Sequence, residues 1–181
     1  LLNPFSKISE EFEEKISQIR LLKSLNVPAP RHVIAPLEKC DFKVLKRELG
    51  VSFVLQYNLG HTGEGTLVVQ REKDLEVLKK KFPKRPVRIS EFIKGVPVTV
   101  NVVVGKKIYV SAPSLQITGI PFLTSNQFAT VGNDWTYMSQ KSKAKSPKLR
   151  KIVIKIGNAL KRRGFRGAFG VDFMMDKKNN L

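Results

Sequence analysis

The sequence predicts a protein of the α+β class, in which helices combine with strands joined by hairpins. Two segments, one near the start of the chain and one after residue 146, have apolar residues at helical spacing. Two pairs of β-rich segments are each separated by a glycine-bearing connection, which is typical of antiparallel hairpins. No apolar run reaches the roughly 18 residues of a membrane helix, so we expect a globular protein without a membrane span.

The predicted elements follow one another from residue 9 to residue 175. We expect helices over residues 9–25, 42–49, 74–82 and 147–163. We expect strands over residues 32–35, 51–57, 66–70, 87–93, 98–104, 107–111 and 168–175. No element is predicted for residues 112–145, a long connection of the kind that is more often functional than idle.

The first two helices have recognisable ends. Ser9 is a candidate N-cap, and the prolines Pro28 and Pro30 end the pattern because proline cannot continue the hydrogen-bond ladder. Asp41 is the candidate N-cap of the second helix, and Gly50 ends it. The sequence therefore predicts one long helix and one short helix before the first hairpin.

The later elements are bounded in the same way. A hairpin with a long loop, residues 58–65, joins the strands 51–57 and 66–70. Pro83 and Pro86 break the third helix. Gly105 and Lys106 form a turn between two valine-rich strands. Ser146 and Pro147 begin the last helix, and Gly164 ends it.

The net charge of +18 predicts attraction to phosphate-bearing partners. The basic residues are dispersed along the chain, so the charge does not choose between a nucleotide and a nucleic acid. The single cysteine, Cys40, excludes an internal disulfide framework and favours the cytoplasm. We interpret Cys40 as a small structural residue. The chain begins without an initiator methionine or a signal-peptide pattern, and we expect it to be part of a longer protein.

Two features are candidate sites on their residues alone. The glycines of the loop 60–65 would let backbone N–H groups approach an anion, although a plain hairpin loop fits equally well. Asp172 lies within an apolar strand, where an unpaired carboxylate would be costly to bury. It must point to solvent, pair with an arginine or bind a metal ion. With only His32, His61 and Cys40 available, a zinc site or a Ser/His/Asp triad has too few parts.

Four motifs in order resemble the ATP-grasp superfamily. They are LKSLNVPAPR (22–31) preceded by Lys15, FVLQYNLGHTGEGTLVV (53–69), ISEFIKGVPVTVNVVV (89–104) and GFRGAFGVDFMMD (164–176). The last motif is similar to the stretch that supplies the first metal-binding acid in carboxylate–amine ligases and their carbamoyl-phosphate-synthase-like relatives. The resemblance implies two α+β lobes with ATP between them. Residues 1–30 would lead in, 31–93 would form a small lid lobe and 94–181 a larger lobe truncated at its end.

The resemblance also implies a site. Asp172 would hold Mg²⁺ (or Mn²⁺), and Arg166 would contact the transferred phosphate or form a structural salt bridge. The residues expected to bind ATP, including the lid loop and the hinge that contacts adenine, are Lys15, Gln56, Gly60, His61, Thr62, Gly63, Gly65, Thr66, Glu91, Phe92 and Ile93.

The sequence departs from the family pattern in three places. Gln56 stands where many members have a phosphate-binding lysine, so phosphate affinity should fall unless His61 or another lysine compensates. Pro97 stands where relatives often have an acid that contacts ribose. The Glu-x-Asn pair that completes the metal site in relatives is not reached by residue 181. We therefore expect a fragment that lacks an N-terminal domain and the end of its metal site.

The implied function is that of an ATP-dependent ligase. Such an enzyme phosphorylates a small-molecule carboxylate and joins it to an amine or similar nucleophile. Residues 115–135 and the missing N-terminal domain would set specificity, and a homo-oligomer is compatible with the sequence. A nucleotide-binding module without catalysis is the first alternative, and a basic nucleic-acid-binding domain, favoured only by charge, is the second.

Overall fold

The computed structural model describes residues 6–60, 65–136 and 146–176, which form two antiparallel sheets with separate hydrophobic cores. The helices are α1 (Ser6–Glu13), α2 (Lys15–Ser24), α3 (Phe42–Leu49), α4 (Glu72–Lys81) and α5 (Ser146–Arg162), with a 3-10 turn at Leu37–Lys39. The strands are β1 (His32–Pro36), β2 (Phe53–Tyr57), β3 (Thr66–Val69), β4 (Pro86–Glu91), β5 (Gly95–Val104), β6 (Ile108–Val110), β7 (Ser114–Thr118), β8 (Thr130–Asp134) and β9 (Gly167–Asp176). The predicted α+β class is confirmed.

The smaller sheet has the strand order β1-β4-β2-β3. One of its faces packs against α3 and α4 in a cluster whose buried members are Leu37, Cys40, Leu45, Leu49, Phe53, Leu55, Val69, Leu75, Val87 and Ile89. Since side chains alternate along a strand, Gln56 and Arg88 lie on the other face, where they are cross-strand neighbours. The small sheet therefore has one apolar face and one mixed face, which carries its polar residues and is called its polar face below.

The larger sheet has the order β6-β5-β7-β8, and β9 pairs with β5. Four valines of β5 face α5 in a core whose buried members are Val98, Val100, Val102, Val104, Leu149, Ile152, Val153, Ile156, Leu160, Phe165 and Met175. The β5–β9 ladder runs from the Gly95–Asp176 pair to the Val104–Gly167 pair. Thr99 alternates with the valines and lies opposite Asp172 on the polar face.

The prediction of one helix over residues 9–25 is wrong, because Glu14 adopts an extended conformation (φ −74°, ψ 122°) and separates α1 from α2. The first amides of α2 are bonded to a loop: Lys15 N–H donates to the Asn58 carbonyl at 2.8 Å, and Ile16 N–H donates to Asn58 Oδ1 at 3.0 Å. Asn58 thus satisfies backbone donors that a continuous helix would have bonded internally. Ser9 lies inside α1 and is not an N-cap.

Residues 112–145 contain two strands that the sequence pattern does not predict. β7 and β8 pair antiparallel with an irregularity between Ile117 and Thr118. Both strands are short and mix polar with apolar residues, and β7 pairs with β5 at only two positions. Their local signal is therefore weak, and long-range pairing determines their structure.

Several expected ends are confirmed. The helix Phe42–Leu49 begins after Asp41, whose side chain accepts from Val44 N–H at 2.9 Å, and ends at Gly50 with φ 105°. The turn at Gly105 and Lys106 joins β5 to β6. Within the described ranges, no helix combines the length and apolar character that a bilayer crossing requires.

Cys40 lies in the core of the small sheet, and its Sγ donates to the Pro36 carbonyl at 3.5 Å. Burial raises the pKa of this thiol, so the thiol stays protonated at neutral pH. Both observations favour the structural interpretation of Cys40.

The capping contact of Asp41 gives a stability prediction. Asp41→Ala removes the acceptor for Val44 N–H, and we expect it to lower the free energy of unfolding by about 1 kcal/mol. Ser9→Ala is the matched control, because Ser9 lies within α1 and should change stability much less. Urea unfolding midpoints measure both variants. An equal loss in the two variants would show that Asp41 contributes nothing specific as a cap.

Candidate functional site

Asp172 is fixed on the polar face of the large sheet by two neighbours. Thr99 Oγ1 donates to Asp172 Oδ1, and Gln116 Nε2 donates to the same oxygen at 2.9 Å. Gln116 Nε2 also lies 2.6 Å from Thr99 Oγ1. None of the described residues donates to Asp172 Oδ2. Asp172 is exposed, so it presents one held and one free carboxylate oxygen to the solvent side of the sheet.

The polar face of the small sheet has a cation that the sequence pattern did not single out. The guanidinium of Arg88 donates through Nε to Gln56 Oε1 at 3.1 Å, and its Nη2 donates to the same oxygen. The Gln56 amide in turn donates to Thr66 Oγ1 at 3.3 Å. The signal was present in Val87-Arg88-Ile89, because a charge between two core-facing residues of a strand must lie on the opposite face.

Lys15 connects these two polar faces. It is the first residue of α2, and it lies close enough to both Arg88 and Asp172 to interact with them electrostatically. Burial lowers the pKa of Lys15, and repulsion from Arg88 lowers it further, whereas Asp172 and Glu13 act in the opposite direction. Burial also lowers the pKa of Arg88. Lys15 therefore lies within electrostatic range of a cation on the small sheet and of a carboxylate on the large sheet.

The crossing between the sheets is short and firmly held at its start. Glu91 accepts from Arg31 N–H at 2.9 Å through Oε1 and from Arg31 Nε at 2.8 Å through Oε2. Its own N–H donates to the Arg31 carbonyl at 3.0 Å. In the described part of the chain, no loop hydrogen bond between backbone groups uses Phe92 or Ile93. The side chain of Glu91 is thus committed to Arg31, while the next two residues present their backbone.

The glycine loop is described only at its ends. Gly60 and Gly65 are described, whereas His61, Thr62 and Gly63 lie outside the described residues. Gly65 has φ 71°, and a Cβ there would lie 2.8 Å from Tyr57 Cδ2. Its carbonyl accepts from Tyr57 N–H at 3.0 Å. This end of the loop therefore requires glycine for both conformation and space.

A family model described as the ATP-grasp domain matches residues 12–181. The chain belongs to the ATP-grasp family. The resemblance that the four motifs predicted is thereby confirmed, together with the ATP-grasp fold.

Solved structures agree on this fold. N5-carboxyaminoimidazole synthetase from Staphylococcus aureus, complexed with ADP, has a TM-score of 0.72 at 20% identity over 94% of this chain and 43% of its own. Phosphoribosylamine–glycine ligase from Thermotoga maritima has a TM-score of 0.74 at 15% identity, with coverages of 98% and 48%. The biotin carboxylase domain of the Hydrogenobacter thermophilus 2-oxoglutarate carboxylase, with MgADP, ADP and bicarbonate, has a TM-score of 0.71 at 17% identity, with coverages of 99% and 40%.

The ATP-grasp chain spans less than half the length of these three proteins. No curated protein matches it. At these identities the solved structures establish the fold alone. The domain boundaries at residues 30 and 93 stay a prediction, although one sheet lies within residues 32–91 and the other within 95–176.

Arg166 has a contact that neither sequence alternative included. Its guanidinium donates to the Phe165 carbonyl at 2.8 Å and to the Lys161 carbonyl at 3.4 Å. Cationic side chains commonly stabilise the carbonyl-rich end of a helix in this way. The contact favours a structural role for Arg166 at the end of α5.

Gly95 gives a test of the crossing between the sheets. A Cβ at this residue would lie 2.2 Å from the Met175 carbonyl oxygen, so Gly95→Ala must displace β5 from β9. We expect it to lower the free energy of unfolding by about 1–3 kcal/mol. Gly132→Ala in β8 is the control, because its nearest atom is Ile117 Cδ1 at 3.8 Å. Chemical unfolding of both variants measures the difference, and an unchanged Gly95→Ala would contradict the close packing.

Proposed function

We propose that this chain is the ATP-binding part of an ATP-dependent ligase, with the nucleotide held between the polar faces of the two sheets. The observation that carries the proposal is that α2 lies against β4, with Lys15 at its start within electrostatic range of both Arg88 and Asp172. Two partly desolvated cations beside one carboxylate suit a ligand that combines polyphosphate with a divalent metal. Reduced thiols and the cellular ATP pool favour a cytosolic location.

The phosphates would lie against α2 and the glycine loop. Lys15 is at the N-terminus of α2, where the helix dipole also favours an anion. The loop residues Gly60, His61, Thr62, Gly63 and Gly65 are proposed to close over the phosphates, followed by Thr66 at the start of β3. Glycine-rich backbone can approach phosphate oxygens closely. The loop then acts as a lid that excludes water.

The adenine would contact the crossing at Glu91, Phe92 and Ile93. Since the Glu91 carboxylate is occupied by Arg31, recognition falls to backbone groups after Glu91. The backbone of Phe92 and Ile93 takes no part in the loop bonds of the described residues, so it can supply a donor and an acceptor to the base edge.

The residues present fit a magnesium ion in part. Mg²⁺ is commonly held by one or two carboxylates together with substrate phosphates, and Asp172 offers one free oxygen whose partner oxygen is already anchored. No group of three His, Cys, Asp or Glu residues capable of holding a metal ion exists among the described residues. We therefore propose that Asp172 and the phosphates hold Mg²⁺ (or Mn²⁺), which would neutralise phosphate charge when bound.

The proposed reaction has two transfers. A carboxylate oxygen of the substrate attacks the γ-phosphorus of ATP, the bond to the β-phosphate oxygen breaks, and ADP leaves. An amine then attacks the resulting acylphosphate, and inorganic phosphate leaves with formation of a C–N bond. The ligases among the structural neighbours support this class of reaction. We propose that residues 115–135, which include Gln116 beside Asp172, contribute to choice of the carboxylate.

ATP binding is tested by isothermal titration with MgATP. We expect Asp172→Asn to weaken MgATP binding at least tenfold, and to change binding of metal-free ATP much less, because the variant loses a metal ligand. Asp74→Asn in α4 is the matched control, since among the described residues the Asp74 side chain bonds Arg71 alone, on the surface. Salt-sensitive binding of an oligonucleotide without any ATP binding would instead establish the nucleic-acid alternative.

The reaction is tested on the full-length protein with a panel of small carboxylates and hydroxylamine as a generic nucleophile. An acylphosphate would be trapped as a hydroxamate, with one ADP and one phosphate formed per product. Formation of AMP and pyrophosphate would contradict the proposed chemistry. MgATP binding with no turnover on any carboxylate would favour the nucleotide-binding module without catalysis.

A further inference from the structure

We propose that Arg88 supplies the positive charge that β2 lacks at Gln56, by binding the phosphate chain of the nucleoside triphosphate, and that Gln56 positions its guanidinium. This inference rests on the proposed function and adds the residue that recognises the phosphates. Arg88 belongs to β4, the strand that pairs with β2, so the proposed cation lies one strand away from residue 56.

The guanidinium of Arg88 has donors to spare. An arginine has five N–H donors, and the two contacts of Arg88 go to the single oxygen Gln56 Oε1. No other described residue accepts from it. No fully buried side-chain nitrogen or oxygen of the described residues lacks a partner, so Nη1 of Arg88, which has no partner among them, is not fully buried. Its N–H groups are available to an acceptor that enters from the polar face.

The charge around Arg88 favours an anionic acceptor. No carboxylate of the described residues forms a salt bridge with Arg88, and Lys15 lies within electrostatic range of it. Both cations are partly buried, and this burial lowers the pKa of each. A polyphosphate between them would supply the missing counter-charge, and guanidinium N–H groups bind phosphate oxygens in a planar fork.

Gln56 acts on Arg88 and not directly on the ligand. Its amide N–H donates to Thr66 Oγ1, which turns the amide oxygen toward Arg88 from the opposite side. This chain of contacts crosses β3, β2 and β4 through the register pairs Gln56–Thr66 and Gln56–Arg88. A lysine at residue 56 would replace the acceptor with a second cation. Glutamine at residue 56 therefore supplies Arg88 with an acceptor that a lysine would not.

The test compares MgATP and adenosine binding by isothermal titration, using the full-length protein. Arg88→Gln should weaken MgATP binding about 10- to 100-fold, the loss typical for charge-assisted hydrogen bonds, and leave adenosine binding unchanged. Arg85→Gln is the charge-matched control, because Arg85 lies over the rings of Tyr57 and Phe82, at 4.5 and 4.2 Å from their centroids. It should bind MgATP normally.

The exchange variant Q56K/R88Q tests the pairing. It returns the cation to β2 and keeps an amide opposite it, so we expect MgATP affinity to recover most of the loss seen in Arg88→Gln. Gln56→Leu, which removes the acceptor but no charge, should weaken MgATP binding several-fold without changing adenosine binding. A merely structural role of Gln56 and Arg88 would not weaken MgATP binding while sparing adenosine binding. It would also not predict that the exchange variant recovers MgATP affinity.

Each result supports or overturns the inference. If Arg88→Gln binds MgATP as Arg85→Gln does while Asp172→Asn loses it, Arg88 has no phosphate role and the proposed function stands. If the unaltered protein binds no MgATP, both proposals fail together. If Arg88→Gln is unstable, the folded exchange variant decides, and its failure to bind MgATP would overturn the inference.

Discussion

The alternation of side chains along β4, β5 and β9 is the constraint on which both the cores and the candidate site depend. In each strand the residues that face the helices are apolar, so the residues between them lie on the opposite face. Arg88 lies on this opposite face because its neighbours Val87 and Ile89 are buried in the core. Asp172 lies on the corresponding face of the large sheet because it pairs with Thr99. A register slip of one residue in either sheet would exchange the core with the site. Stability and ligand geometry are thus set by the same ladders.

Lys15 depends on a different interaction, the capping of α2 by Asn58. The Asn58 carbonyl and side-chain oxygen accept the first two amides of α2, which ties this helix to the connection that leads into the glycine loop. The same contact places Lys15 near Arg88, where both cations lose hydration. Two desolvated like charges oppose folding, so a nucleotide bound as we propose would stabilise the folded protein through these residues.

Much of the fold and the order of the site motifs could be predicted from the sequence, because short local patterns of residues determine them. The cap at Asp41, the Gly105-Lys106 turn and the ordered ATP-grasp motifs each act over a few residues. The break at Glu14 could not be predicted, since Asn58 satisfies the amides of α2 from a distant loop. β7 could not be predicted either, because its pairing with β5 and β8 determines it more than its own residue pattern does. Gln116 lies on β7 and donates to Asp172. Because β7 could not be predicted, this contact to the predicted metal ligand could not be predicted either.

Gln56 shows why a family pattern must be compared with its surroundings in three dimensions. Judged alone, the loss of a lysine on β2 indicates a weakened phosphate site and favours a module without catalysis. In the structure, the amide oxygen of Gln56 faces Arg88, so the cross-strand pair still contains one cation. The pair of Gln56 and Arg88 carries one positive charge. A pair with lysine at residue 56 and a neutral residue at 88 would carry the same charge. If Arg88 binds phosphate as we propose, the departure at Gln56 does not by itself favour a module without catalysis.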